Sequence, residues 1–267
     1  MKKLNTRLIR KNKIKKGFKP LSMLTCYDFQ TAGMLNETDL DLILVGDSVG
    51  NVVLGYETTV EVTLNDMITF GSAVKRGAKN KFVVVDLPFG TYGTLEDGVK
   101  NAMKLFQETK AESVKLEGAF DFQLPMIERM TQIGIPVMGH IGLTPQSVHE
   151  MGGYFTHGKN DFSAKKLIES ALNLEKAGCF AIVLECVEKD LATEITDMLS
   201  IPTIGIGSGD KTDGQVLVTN DLLHMGKKTP PKFCQPVTNM FETKKEFISQ
   251  YISSVKNTEG QSESLHH

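Results

Sequence analysis

At 267 residues and 40% hydrophobic, with no run approaching the ~20 apolar residues of a membrane span, the chain has the core material of one α/β barrel or of two smaller domains. The net charge of -2 hides an asymmetry: residues 2–19 hold nine basic residues and no acid, leaving 21 basic against 32 acidic residues elsewhere. That acidic body argues against a nucleic-acid surface, the basic segment reads as a solvated N-terminal helix, and four cysteines without C-x-x-C spacing, behind a start without a signal-peptide core, point to the cytoplasm.

The first strand is expected at residues 21–26, followed by a helix over 27–38 with Phe29, Ala32 and Leu35 on its apolar side. The second strand is the run Leu42-Ile43-Leu44-Val45, which closes on Gly46, Asp47 and Ser48. Thr63-Leu64-Asn65-Asp66 has capping-box form with Asp as the returning acceptor, so a helix should follow to about residue 76. Strand three covers 82–86 and stops before Pro88, which cannot donate to a ladder. Thr94 and Asp97 repeat the cap and start a helix to about residue 110. Strand four is 113–117, followed by a helix over 120–132 with Pro125 near its first turn.

Strand five is expected at 135–139, with Thr144 as the next N-cap and Pro145 as the first helical residue. The glycine-rich segment 152–158 is a loop of the length that is usually functional or disordered. Ser163 caps a helix to residue 177, strand six is 181–185, a helix spans 190–199, and strand seven is 201–205. The eighth strand must come from 216–225, and a last helix covers 243–255. These alternating units, joined by right-handed crossovers, predict a (β/α)8 TIM barrel. No linker divides it, so one domain over 1–267 is expected, with a basic N-terminal helix and a flexible tail at 258–267.

Four apolar runs end on acids, Asp47, Asp86, Glu117 and Glu185, and parallel sheets bind ligands at the carboxyl ends of their strands. Lys115 and Glu117 share one strand face; they are either a structural pair in the lumen or part of a site, since an unpaired buried charge is costly. Asp47 and Asp86 are each able to serve as an ordinary N-cap, but on adjacent strands they form a two-carboxylate set suited to Mg²⁺, with most of the octahedron left for a chelating 2-oxo acid. His140 is either a satisfied strand-end histidine or a proton-transfer group. Glu185, behind four apolar residues, reads as a general base in preference to a helix cap. Ser48 is a turn serine or a ligand for a substrate carboxylate, and the Gly205-Ile206-Gly207-Ser208-Gly209 loop is at best a substrate-contacting turn.

Six blocks in order, among them Val45-Gly46-Asp47-Ser48, Asp86-Leu87-Pro88-Phe89, Val114-Lys115-Leu116-Glu117-Gly118, Leu184-Glu185-Cys186-Val187 and the stretch from Gly139-His140 through Thr144-Pro145-Gln146, resemble the ketopantoate hydroxymethyltransferase family. The sixth block is Ile201-Pro202-Thr203-Ile204-Gly205-Ile206-Gly207. The resemblance implies a barrel of the phosphoenolpyruvate mutase and isocitrate lyase type, assembled as a homo-oligomer, the decamer being expected. It implies transfer of a hydroxymethyl group from 5,10-methylenetetrahydrofolate to 3-methyl-2-oxobutanoate, with Mg²⁺, on the way to pantothenate and coenzyme A. It places Asp47, Asp86 and Glu117 on the metal positions, Asp47, Ser48, Asp86 and Lys115 on the oxo-acid positions, and Glu185 on the base, with His140 in reserve. Cys26, His157 and Ser208 depart from the family's usual residues, and none of the three removes an oxygen ligand or the base. Two other functions compete: a Mg²⁺-dependent carbon–carbon lyase or mutase of the same superfamily, and a catalytically silent barrel that acts as a basic-tailed binding protein.

Overall fold

Eight parallel strands pair in chain order and close on themselves, β1 with β2 and so on round to β8 with β1. They are β1 (Leu21–Thr25), β2 (Leu42–Val45), β3 (Phe82–Asp86), β4 (Ser113–Lys115), β5 (Val137–Gly142), β6 (Ala181–Glu185), β7 (Thr203–Ile206) and β8 (Gly214–Leu217). The computed structural model describes residues 3–257, in two compact units, Met1–Val218 and Thr219–His267. The barrel is complete within the first.

Helices of that unit are α1 (Thr6–Arg10), α2 (Phe29–Asn36), α3 (Leu64–Gly77), α4 (Leu95–Thr109), α5 (Gln123–Gln132), α6 (Val148–Met151), α7 (Asp161–Lys176) and α8 (Lys189–Met198). Their starts follow from capping chemistry. Thr63 and Asp66 exchange side-chain and backbone bonds in a capping box, and Asp28 and Thr94 each accept from the third helical N–H. The second unit holds α9 (Thr219–Leu222) and α10 (Met240–Lys256), the latter capped by Asn239.

Strand alternation divides the core in two. Leu42, Leu44, Phe82, Val84, Met138, Ala181, Val183, Ile204 and Val216 form one buried cluster that fills the lumen. Ile43, Val45, Val83, Val85, Val114, Val137, Ile182 and Leu184 form the other, against the helices. Each Val, Leu, Ile, Phe or Met among them stabilises the fold by about 1.5–3 kcal/mol when fully buried. The inward series does not stay apolar. Two residues beyond Val84, Ser113, Met138 and Val183 stand Asp86, Lys115, His140 and Glu185, so the period that packs the lumen also raises a charged layer at the strands' carboxyl ends.

Several expectations need correction. The basic segment is not one solvated helix: α1 has five residues, a 3-10 turn follows at Ile14–Lys16, and Ile9 joins the lumen cluster. Lys13 is fully buried. Its ammonium lies 2.5 Å from Asp213 Oδ2 and donates to the carbonyls of Thr196 and Ile201 at 2.6 and 3.2 Å. Strand five begins two residues later than expected and runs through His140 to Gly142, because β6 pairs with it as far as Glu185. Asn160, not Ser163, caps α7; Ser163 is its reciprocal partner three residues on. Thr144 makes no cap bond, and Pro145–Ser147 is a 3-10 turn ahead of α6. The eighth strand starts before the expected stretch, whose later residues turn into α9. The expected tail, residues 258–267, lies outside the described residues.

Candidate active site

Asp47, Asp86, Lys115, Glu117 and His140 are all buried at the carboxyl ends of β2 to β5, and Glu185 stands half-buried at the end of β6. The structure thus gathers every predicted site residue at one mouth of the barrel. Lys115 Nζ lies 2.9 Å from Asp86 Oδ1 and 3.4 Å from His140 Nδ1. Glu117 Oε1 is 3.4 Å from the same His140 nitrogen, and Glu185 Oε2 is 3.3 Å from His140 Nε2. His140 therefore stands between two carboxylates, one on each ring nitrogen.

The turn after β2 is tight. Asp47 donates its N–H to Asp86 Oδ2 at 3.2 Å, and a Cβ on Gly46 would sit 2.9 Å from Ser48 Oγ, so glycine is needed for the approach. Ser48 Oγ is 2.8 Å from the Tyr27 hydroxyl, at the end of β1. On the opposite side Gly142 takes φ +98°, and a Cβ there would lie 2.2 Å from the carbonyl oxygen of Glu185. Cys186, next to Glu185, adopts φ +50°, a conformation that L residues keep mainly where surroundings impose it. Its carbonyl accepts from His157 N–H at 2.7 Å, tying the glycine-rich loop to the strand that carries Glu185.

The layer holds more negative charge than its own cations neutralise. Burial, then Glu117 and Asp86, push the Asp47 carboxyl up to about 8. Burial also raises Asp86, against the pull of Lys115. Burial opposes the charge on Lys115, but Asp86, Glu117 and Asp47 outweigh it and hold the ammonium above its usual range. For His140, burial and Lys115 work against protonation, yet Glu117 and Glu185 raise the imidazole to about 9. Asp86 Oδ1 faces the Lys115 ammonium at 2.9 Å and Glu117 Oε1 faces His140 Nδ1 at 3.4 Å, yet four clustered carboxylates share these two groups, a surplus of oxygen donors that suits a further cation. Among the described residues, no group of three or more His, Cys, Asp or Glu side chains is placed to hold a metal ion by itself, so a metal here would rest on two carboxylates and on ligands from outside the protein. Hard oxygen donors that leave coordination positions open are what Mg²⁺ accepts.

Three residues in this network are not singled out by the sequence. Gln146, in the turn after β5, Tyr92, in the loop after β3, and Tyr27 are all buried. Gln146 closes the block that starts at Gly139, but a turn amide carries no spacing signal and an isolated tyrosine reads as core. Ser208 has a structural part instead: its hydroxyl donates to the Leu184 carbonyl and accepts from Val187 N–H, fastening the glycine loop to β6.

A sequence profile described as ketopantoate hydroxymethyltransferase matches residues 3–260. The chain is 49% identical to the 3-methyl-2-oxobutanoate hydroxymethyltransferase of Syntrophus aciditrophicus, over 96% of this chain and 93% of that one. It is 50% identical to the protein of that name from Bacillus thuringiensis, over 91% and 88%. Among solved structures it resembles 2,3-dimethylmalate lyase, a PEP mutase/isocitrate lyase superfamily member, with TM-score 0.61, 12% identity and coverage of 98% and 91%. It also resembles phosphonopyruvate hydrolase, with TM-score 0.61, 8% identity and coverage of 80% and 81%. At these identities the structural likeness establishes the fold, a TIM barrel.

Proposed function

The chain belongs to the ketopantoate hydroxymethyltransferase family, and from that membership we propose how its barrel mouth carries a hydroxymethyl group from 5,10-methylenetetrahydrofolate to 3-methyl-2-oxobutanoate, giving 2-dehydropantoate for pantothenate and coenzyme A. Membership sets the transferase above the lyase or mutase and the silent barrel. Asp47 and Asp86 hold Mg²⁺, with Glu117 beside them, and Ser48 and Lys115 hold the carboxylate end of the oxo acid. Mg²⁺ supplies Lewis-acid polarisation of the keto oxygen. Glu185 removes the C3 proton, and His140, between Glu117 and Glu185, orients the base. C3 then forms a carbon–carbon bond to the methylene carbon of the folate. The first of the two bonds from that carbon to folate nitrogen breaks as the carbon–carbon bond forms, and the second breaks as water supplies the hydroxyl oxygen; the proton taken from C3 and one from water end on the two nitrogens, releasing tetrahydrofolate.

The observation that carries this assignment of roles is the surplus of carboxylates at the mouth: Asp47, Asp86, Glu117 and Glu185 cluster around two cationic partners, Lys115 and His140. Glu185 is preferred as the base because its side chain is 17% exposed at the mouth, whereas that of His140 is 3% exposed and faces acids on both sides. We place the enzyme in the cytoplasm, a compartment consistent with its four free cysteines. No helix among the described residues is long and apolar enough to cross a membrane. We also propose a homo-oligomer, with the family's decamer as the expected count. Phe247, Ile248, Tyr251 and Ile252 of α10 form an exposed apolar stripe that supports assembly.

The test is product formation from 3-methyl-2-oxobutanoate with the metal-stripped enzyme. 2-Dehydropantoate should appear only when both Mg²⁺ and 5,10-methylenetetrahydrofolate are restored. Product formed at full rate without either one would overturn the assignment.

A further inference from the structure

Gln146 occupies the centre of the acid layer without belonging to it. Its side-chain nitrogen is 2.8 Å from Asp47 Oδ2 and 3.0 Å from the carbonyl oxygen of Leu87. A carbonyl can only accept, so the Leu87 contact requires the NH₂ end of the amide at this position. The second hydrogen then goes to Asp47, and the amide oxygen points to the Tyr92 hydroxyl, which must donate to it. The orientation of the amide is thus decided by one obligate acceptor and one hydroxyl, both buried.

The same residue reaches a second acid. The backbone N–H of Gln146 donates to Glu117 Oε2 at 3.0 Å. Two of the three acids proposed to face the metal are therefore each held at one oxygen by a single residue. Asp47 keeps Oδ1 and Glu117 keeps Oε1 for other partners, the latter with His140 Nδ1 3.4 Å away. Pro145, which opens the 3-10 turn immediately before Gln146, has its own φ fixed by its ring.

We propose that Gln146 is a positioning residue: its amide, aimed by Tyr92 and the Leu87 carbonyl, fixes the rotation of the Asp47 carboxylate, and its N–H fixes that of Glu117, so that each acid presents one oxygen to the proposed Mg²⁺ and oxo-acid centre. This rests on the reading that these acids face a metal. Tyr92 is the second member of the clamp and acts only through Gln146. Outer partners of metal-binding carboxylates typically contribute about 10- to 100-fold in metal affinity. Such an effect falls on metal affinity, separately from any loss of folding stability.

The experiment is Mn²⁺ binding, read by electron paramagnetic resonance of the free ion, with the full-length protein and 3-methyl-2-oxobutanoate present. Wild type, Gln146→Met, Tyr92→Phe and Asp86→Asn are compared, each with its metal-free melting temperature. Gln146→Met should weaken Mn²⁺ binding by about 10- to 100-fold. Tyr92→Phe, which leaves the amide in place but frees its aim, should weaken it less and in the same direction, with the melting temperature close to wild type. Should Gln146→Met fail to fold, Tyr92→Phe alone carries the comparison. If Asp86→Asn loses Mn²⁺ while both clamp variants bind as wild type does, the positioning role of Gln146 is wrong and the metal reading stands. If wild type binds no Mn²⁺, the metal reading fails and the inference falls with it.

Discussion

Replacing Glu185 by glutamine should slow removal of the C3 proton of 3-methyl-2-oxobutanoate by about 10²- to 10⁴-fold, the usual contribution of a positioned general base. The substitution keeps the side chain's size and its reach toward His140 Nε2, 3.3 Å away, so the site should remain assembled. What is lost is a partly exposed carboxylate at the mouth, on a different strand from the Asp47–Asp86 pair. His140→Gln is the comparator. Both imidazole nitrogens are directed at acids, and Glu117 and Glu185 hold the ring's pKa at about 9, so near neutral pH it is better suited to donate a proton than to take one. Loss of His140 should therefore cost less than loss of Glu185. Deuterium exchange at C3, followed by NMR, separates the two. Exchange at the wild-type rate in Glu185→Gln would transfer the base role to His140.

Lys13→Met should lower stability by about 3–5 kcal/mol, the cost of leaving one member of a buried ion pair without the other. Both side chains are essentially inaccessible, at 0% and 1% exposure. Asp213 also accepts from the N–H groups of Ile14 and Thr203, at 2.9 and 3.0 Å, so its carboxylate stays in place when the ammonium is removed. The pair ties the segment that leads into β1 to the start of β7 and the residue before β8, at the end of the barrel opposite the acid layer. Urea unfolding measures the effect. A loss below 1 kcal/mol would show that Asp213 is satisfied by backbone donors alone. Lys13→Met combined with Asp213→Asn should recover part of the loss, because no uncompensated charge then remains buried.

Much of this fold is legible because its signals are local. The Thr63–Asp66 box depends on four consecutive residues, and β3 ends where its apolar run meets an acid and a proline, so both could be placed from the chain itself. The four strand-end acids are likewise local, and period-two alternation puts Lys115 on the face it occupies. Features that depend on distant partners were not legible. Lys13 looks like any exposed lysine until Asp213, 200 residues away in sequence, is placed beside it. The extent of β5 is decided by its ladder with β6, and β8 by pairing with both β7 and β1. Asn160 and Ser163 are both capping types three residues apart, and only the geometry tells the cap from its partner. Gln146 is the case with functional weight. An amide does nothing recognisable in sequence, and it becomes part of the site only when Asp47, Leu87, Tyr92 and Glu117 close around it.

On the roles proposed above, the acid-tipped strands form a metal-assisted enolising centre, with the folate needed only after the C3 proton has gone. Proton exchange at C3 of 3-methyl-2-oxobutanoate in D₂O, without folate, tests it most directly. Exchange should require the enzyme, rise with Mg²⁺ and stop on chelation. Enzyme-catalysed exchange equally fast with and without Mg²⁺, or none until folate is added, would contradict these roles.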